Sequence, residues 1–400
     1  MSADPLAGRN ERAAGAPVEL AALLDLDPRE WRVALDKRYR VLDEVLAGNR
    51  RTVVYPAASM GRKAAARLLK MGVKVVAFGD SDPTLHGEEI DGLPVLSPAE
   101  IATVHTDDVV LVASAMHDSA ICEDLTVRGL EAVVPIGYLN LRLPDVFVSR
   151  EYQGAFDAAT SGANRTAIEA AYALFSDDES RRVFLSKLRY YLSLEKDLLD
   201  EIGSAETVYF GAGVYDLSAD EVVVDGGAYV GDTLESFLQC SSGQFDAYYA
   251  FEPDGASYDR LAQVAATDPQ RITAVRAGLG RHTSSARLLS TAGADSRLLG
   301  DDEPGGDEVP VVGLDDYFAG RPAPSLIKMD IEGSESDALL GAAGLLSSAT
   351  PKLAVSAYHL PADLWTIPLL IRRLAPGSDL FLRHHSREID DTVCYAVPRV

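Results

Sequence analysis

Two stretches of this chain alternate short apolar runs with amphipathic helical repeats, and that alternation is what most narrows the possible folds. In the first stretch, "TVVYPA" at 52–57 and "VKVVAFGDSDP" at 73–83 read as strands flanking the helical "GRKAAARLLKMG". "DVVLVAS" at 108–114 and "AVVPIG" at 132–137 continue the series. In the second stretch, after Thr207, candidate strands fall at 222–224, 248–251, 272–276, 326–329, 353–357, 380–383 and 393–397. Strand, helix and strand in succession build a parallel sheet covered by helices. The last two strands are close enough in sequence to be antiparallel neighbours. The fold class is therefore α/β with two sheets, since 400 residues exceed one ordinary core.

The rest of the chain falls around these stretches. Residues 1–17 read as a disordered lead-in without the apolar centre of a signal peptide. Asp27-Pro28 reads as a cap and first-turn proline, opening a helix through Trp31, Leu35, Tyr39, Leu42 and Val45 that Gly48 stops. This gives N-terminal helices over 18–50, a small Rossmann-like domain over 51–148, a helical bridge over 149–206 and a larger domain over 207–400. The Gly/Asp-rich "STAGADSRLLGDDEPGGDEVP" at 290–310 reads as an insertion loop, placed to act as a flap.

Charge and cysteine content limit the partners. A formal charge of −24 repels nucleic-acid backbones and anionic membrane surfaces, and no apolar run is long enough to span a bilayer. Cys122, Cys240 and Cys394 show neither metal-ligand spacing nor a disulfide framework, which predicts buried thiols in a reducing, cytoplasmic setting. The expected partner is a small molecule, and the additional Rossmann-like domain leaves room for a homodimer.

The motif with the most chemistry is "EVVVDGGAYVGDT" at 221–233. It follows the first strand of the larger domain, where doubly wound sheets receive ligands. Glycines at 226, 227 and 231 permit a tight turn and close approach, which suits any nucleotide-like ligand. Asp225 is more selective. A carboxylate repels pyrophosphate and favours an ammonium or sulfonium, and S-adenosylmethionine carries both and no phosphate. Glu252, ending the next strand in "YYAFEPD", is placed to accept hydrogen bonds from two ribose hydroxyls, a feature shared with NAD-binding proteins. Asp225 could equally cap the turn that follows it.

"VVVDGGAYVGDT", "YYAFEPD", "SLIKMDIEGSESDALLGA", "PKLAVSAYH" and "FLRHHSREIDDTVCYAVP" resemble, in order, the successive blocks of FkbM-type methyltransferases. The resemblance covers roughly 206–398. It implies a class I, seven-stranded methyltransferase domain that transfers a methyl group from S-adenosylmethionine, usually to a hydroxyl oxygen of a polyketide, saccharide or peptide-derived substrate. The cofactor contacts would come from Asp225, Gly226, Gly227, Ala228, Gly231, Thr233 and Glu252, with Asp330 at the reactive end. The upstream half resembles the Rossmann-like module preceding some members, and the N-terminal domain of certain sugar acyltransferases.

Methyl transfer to oxygen needs alignment, exclusion of water and a proton acceptor. His359, after the fifth strand, has the side chain best suited to accept a proton near pH 7 and is the expected base. Asp330 either serves catalysis, by orienting substrate or accepting its proton, or caps the helix "SESDALLGA". Lys328, inside the fourth strand, reads as the structural partner of an acid. His384 and His385 are further base candidates, of which at most one faces the site. Asp330, Glu332 and Glu335 do not converge by spacing alone, so no metal is expected. In the smaller domain Ala57 and Ala58 replace the glycines of an NAD-type turn, while Asp80 sits where a ribose-binding acid would. A nucleotide-sugar or NAD-dependent enzyme working from that domain is one alternative, and a non-catalytic binding protein on the methyltransferase fold is another. His86, His105 and His117 there read as solvated.

Overall fold

A computed structural model of the chain describes residues 16–399, apart from 212, 291–295, 300–302 and 304. The expected lead-in over 1–17 lies almost wholly outside the described residues. The chain divides into two compact units, one of residues 1–165, 185–201 and 386–390, the other of 166–184, 202–385 and 391–400. The segment read as a bridge is thus shared out: 166–184 joins the second unit and 185–201 the first.

In the first unit six strands run in the spatial order Glu89–Ile90, Leu93–Leu96, Val75–Gly79, Thr52–Tyr55, Val109–Val112 and Val133–Val134. All neighbours are parallel except the first pair. The pair at 89–96 was not foreseen, because Pro94 and two exposed positions blur the strand pattern at a sheet edge. Asp27 does cap the helix Pro28–Arg38, accepting from Arg29 N at 2.9 Å. The helix expected to reach Gly48 instead breaks at Tyr39, whose ring packs 4.7 Å from that of Tyr138, and restarts as Val41–Leu46. The 386–390 segment belongs here because the Glu388 carboxylate accepts the amides of Ser119 and Ala120 at the start of the helix Asp118–Val127, where unpaired N–H groups favour an anion.

In the second unit we label the central strands β1 (Val222–Gly226), β2 (Ala247–Phe251), β3 (Ile272–Val275), β4 (Leu326–Met329), β5 (Lys352–Ser356), β6 (Ser378–His384) and β7 (Thr392–Pro398). Their order is β6-β7-β5-β4-β1-β2-β3, with β7 antiparallel to both neighbours and the other pairs parallel. All seven were legible as apolar runs, and β6 and β7 pair as expected. The chain reverses its direction of travel between β1 and β4, which puts the crevice for a ligand at their carboxyl ends. Part of the expected insertion loop is sheet: Ser284–Leu289 pairs antiparallel with Asp307–Val312 in a second, four-stranded sheet. Glu308 and Ser285 face solvent while Val309 and Val311 face inward, so the alternation was present but masked by the glycines beside it.

Helices on one face of the central sheet bury an aromatic cluster. Phe237 lies 5.3, 5.6 and 5.2 Å from the rings of Phe210, Phe245 and Tyr248 and is fully buried. Truncating it removes large apolar area and leaves a cavity, at a cost of about 3–5 kcal/mol. Phe237→Ala should therefore lower the urea midpoint of the second unit's unfolding transition, with the glycine turn at 226–231 untouched; an unchanged midpoint would contradict this packing.

Candidate active site

The site begins with sheet register. β1 and β4 pair so that Asp225 stands directly opposite Lys328. Both are buried, and the ammonium lies 2.9 Å from Asp225 Oδ1. Tyr248, on β2, donates its hydroxyl to Asp225 Oδ2 at 2.7 Å. Lys328 Nζ also donates to the carbonyls of Gly226 (3.1 Å) and Gly227 (2.8 Å). Burial pulls the Lys328 ammonium down, but Asp225 and Asp330 outweigh it and hold the group above its usual range. Thus the cation that Asp225 faces is Lys328 itself, and the acid acts on the glycine turn through that side chain.

The turn is tightly built. Gly227 has φ +74, and a Cβ there would stand 1.8 Å from the Asp330 carbonyl oxygen, so only glycine fits. Its amide and that of Ala228 donate to Phe251 O at 3.1 and 3.0 Å, Tyr229 N donates to Glu252 Oε2 at 3.0 Å, and Gly231 N donates to Ala228 O at 2.9 Å. Gly231, at φ +96, opens the helix Asp232–Cys240, which places Thr233 in its first turn. Glu252 Oε1 accepts from Asp254 N at 2.8 Å. Burial raises the Glu252 carboxyl to about 7, against the lowering effect of those two amides.

At the end of β4 stands Asp330, with its side chain about a quarter exposed. It does not cap the next helix, since Ser334 occupies that position. Instead it accepts hydroxyl hydrogen bonds from Tyr209 (2.8 Å), Ser356 (2.9 Å) and Tyr358 (3.0 Å). Burial pushes its pKa up, but His359, Lys328 and these donors win, and the carboxyl sits below its usual range. Tyr358 adjoins His359 in "PKLAVSAYH", so the sequence did carry a signal for it. Tyr209 lies ahead of β1 and carries a left-handed φ of +68, with no sequence signal to mark it.

His359 reaches the same rim because β5 lies beside β4. It is buried, with Nδ1 2.9 Å from Glu335 Oε1, and Nε2 3.3 Å from Asp330 Oδ1 and 3.7 Å from Glu332 Oε1. Burial disfavours the imidazolium, yet the three carboxylates raise its pKa to about 10. These carboxylates favour the protonated ring, which runs against the base role expected of it. Contrary to the spacing argument, Asp330, Glu335 and His359 do converge, with ligating atoms within 4.8 Å of one another. The fold-back comes from Glu332 and Gly333, at φ +57 and +91, which return Glu335 to the Ile331 amide at 2.9 Å.

Four other histidines are bound elsewhere. His384 Nδ1 meets Thr392 Oγ1 at 2.9 Å, and His385 Nε2 meets the Tyr395 hydroxyl at 3.0 Å. His105 is not solvated, since it pairs with Asp108 at 2.6 Å, and His86 contacts the Asp80 carbonyl at 2.9 Å. Asp80 accepts the amides of Ala57 and Asp82, both at 2.9 Å, and a Cβ on Gly61 would stand 2.0 Å from Pro56 O. Of the cysteines only Cys394 is buried; Cys122 is partly exposed and Cys240 exposed.

Residues 225–386 match the protein family described as the methyltransferase FkbM domain. Over these residues the chain is similar to that family. A structure of methyltransferase FkbM from Methylobacillus flagellatus KT is similar over 93% of this chain and 100% of that one, at TM-score 0.69 and 25% identity. Fibrillarin from Aeropyrum pernix, in complex with natively bound S-adenosyl-L-methionine, aligns over 46% of this chain and 70% of its own at TM-score 0.29 and 11% identity. An rRNA methylase from Streptococcus thermophilus aligns over 52% and 95% at TM-score 0.30 and 14% identity. These two superpose too loosely to carry an argument. No curated protein matches the sequence. Among the described residues no helix is long and apolar enough to cross a membrane.

The Asp225–Lys328 pair in this domain gives a direct prediction. Lys328→Met strands a buried carboxylate, and breaking such a pair costs about 3–5 kcal/mol. The double variant with Asp225→Asn should recover part of that loss, measured as non-additive shifts in urea midpoint. Additive shifts would mean the two groups are not coupled.

Proposed function

We propose that the FkbM domain transfers a methyl group from S-adenosylmethionine to a hydroxyl oxygen of a small natural-product, saccharide or peptide-derived acceptor, in a reducing, cytoplasmic setting. The observation that carries the cofactor choice is the fate of the loop amides. A phosphate-binding turn aims free N–H groups at its anion. Here the amides of Gly227, Ala228, Tyr229 and Gly231 are all spent on protein acceptors, which suits a cofactor without phosphate. The turn from Gly227 to Thr233 would then line the adenosine side. Glu252 would receive the ribose hydroxyls on its remaining lone pairs, and the Asp225–Lys328 pair would hold the turn in shape.

In the reaction the acceptor oxygen attacks the methyl carbon. The carbon–sulfur bond breaks with its electron pair going to sulfur, so the sulfonium becomes a neutral thioether. The acceptor's proton leaves to solvent. Asp330, whose carboxyl is held below its usual range by its partners, would accept the acceptor's hydrogen bond and fix the line of attack. His359 serves here as the cation that gathers Asp330, Glu332 and Glu335.

Calorimetric titration of the full chain with S-adenosylhomocysteine and, separately, NADH tests this reading. Saturable binding of the first, lost in Glu252→Ala, is expected; binding of NADH alone would overturn it. The pH dependence has a fixed sign. Ribose hydroxyls favour the Glu252 carboxylate, so bound ligand should lower a pKa that starts at about 7. Affinity should be flat above that pH and fall below it, by up to about tenfold per pH unit, and Glu252→Gln should flatten the profile. Stability without ligand runs the opposite way. The raised pKa makes this group favour the folded state in acid, and that contribution is lost as pH rises from the ordinary carboxyl value of 4.5 towards about 7.

A further inference from the structure

We propose that Asp330, Glu335 and His359 form a binding site for one divalent cation of the Mn²⁺ or Mg²⁺ kind, at the rim where β4 and β5 end. Cation binding stands apart from the methyltransferase reading; only its use in seating an acceptor hydroxyl rests on that reading.

Three observations converge. First, one imidazole nitrogen and two carboxylate oxygens lie within 4.8 Å of one another. Ligand atoms on opposite sides of an ion with bonds of about 2.1 Å stand about 4.2 Å apart, so small side-chain movements complete the geometry. Second, His359 is buried, yet neither ring nitrogen makes an aligned hydrogen bond, although Nδ1 and Nε2 stand 2.9 and 3.3 Å from the Glu335 and Asp330 oxygens. The two ring nitrogens point away from each other, so one would ligate the ion while the other keeps its carboxylate neighbour. A buried polar side chain is otherwise satisfied by its neighbours. Third, the cage is closed on the protein side and open on the other. Glu335 and His359 are buried, whereas Asp330 and Glu332 are about a quarter exposed, at 27% and 23%. Such a site leaves coordination positions for water or an acceptor oxygen.

The donor set selects the metal class. Carboxylate oxygens suit Mg²⁺ and Mn²⁺, and a single imidazole shifts the preference towards the transition metal. Glu332, whose Oε1 is 3.7 Å from His359 Nε2, adds negative charge at the open side. A bound cation would take the place of the ring proton, since an imidazole ligand must be neutral. An acceptor hydroxyl on an open position would be held beside Asp330 and made more acidic, which removes the need for a protein base.

The test is a Mn²⁺ titration of the full chain, with free Mn²⁺ read by electron paramagnetic resonance. Wild type, Glu335→Gln, His359→Gln and the control Asp379→Asn, a half-buried acid paired with Arg399, are compared, and circular dichroism confirms folding. One saturable site, weakened at least tenfold in both site variants and unchanged in the control, is expected. Mg²⁺ should displace the signal. No saturable site, or equal weakening in the control, would show only the pull of a chain with net charge −24 and would overturn the proposal. If a site variant unfolds, wild-type Mn²⁺ relaxation answers instead: an ion with a full set of exchanging waters, as on a solvated surface, also overturns it. S-adenosylhomocysteine titration of the same samples separates this outcome from failure of the methyltransferase reading.

Discussion

The architecture of the site depends on one buried ion pair. Asp225 and Lys328 meet across the β1–β4 register, at the place where the order of the strands reverses. Two buried charges are costly to desolvate, and an apolar pair of equal volume would often be at least as stable. What the pair supplies is position. The ammonium has donors left after meeting Asp225, and it uses them on the carbonyls of Gly226 and Gly227. The glycine turn is therefore tied to the centre of the sheet. The close approach of Gly227 to the Asp330 carbonyl then couples the turn to the end of β4.

From that fixed turn the rest of the rim follows. Glu252 is held by Tyr229 and Asp254, and Asp330 by Tyr209, Ser356 and Tyr358. One end of the crevice thus offers a carboxyl of raised pKa and the other a carboxyl of lowered pKa. The difference arises from partners: Glu252 has two backbone amides against its burial, while Asp330 has two cations nearby as well as hydroxyl donors. Such separation of two carboxyls in one crevice is set by environment alone, since both are ordinary acids in the unfolded chain.

Much of this was legible from the residues. The seven strands were apolar runs of strand length, the glycine turn and its two acids announced themselves by composition, and the FkbM resemblance ran through the same blocks. Other features were not. The edge strands at 89–96 hide behind Pro94, and the strand Asp307–Val312 behind adjacent glycines. Tyr209 reaches Asp330 from outside every motif. The convergence of Glu335 with His359 needs left-handed φ values at Glu332 and Gly333, and backbone sign cannot be read from spacing.

What the sequence alone determined is which groups exist and roughly where along each strand they stand: periodicity is local, so Asp225, Glu252, Asp330 and His359 could be assigned to strand ends without coordinates. Only the tertiary structure decided what each of them faces. Asp225 meets a lysine because two strands about a hundred residues apart pair in one register, and His359 meets three acids because a neighbouring turn folds back around it. The protonation state and partner of a side chain are set by the charges and burial around it. Those are sums over contacts distant in sequence, and the linear order of residues does not contain them.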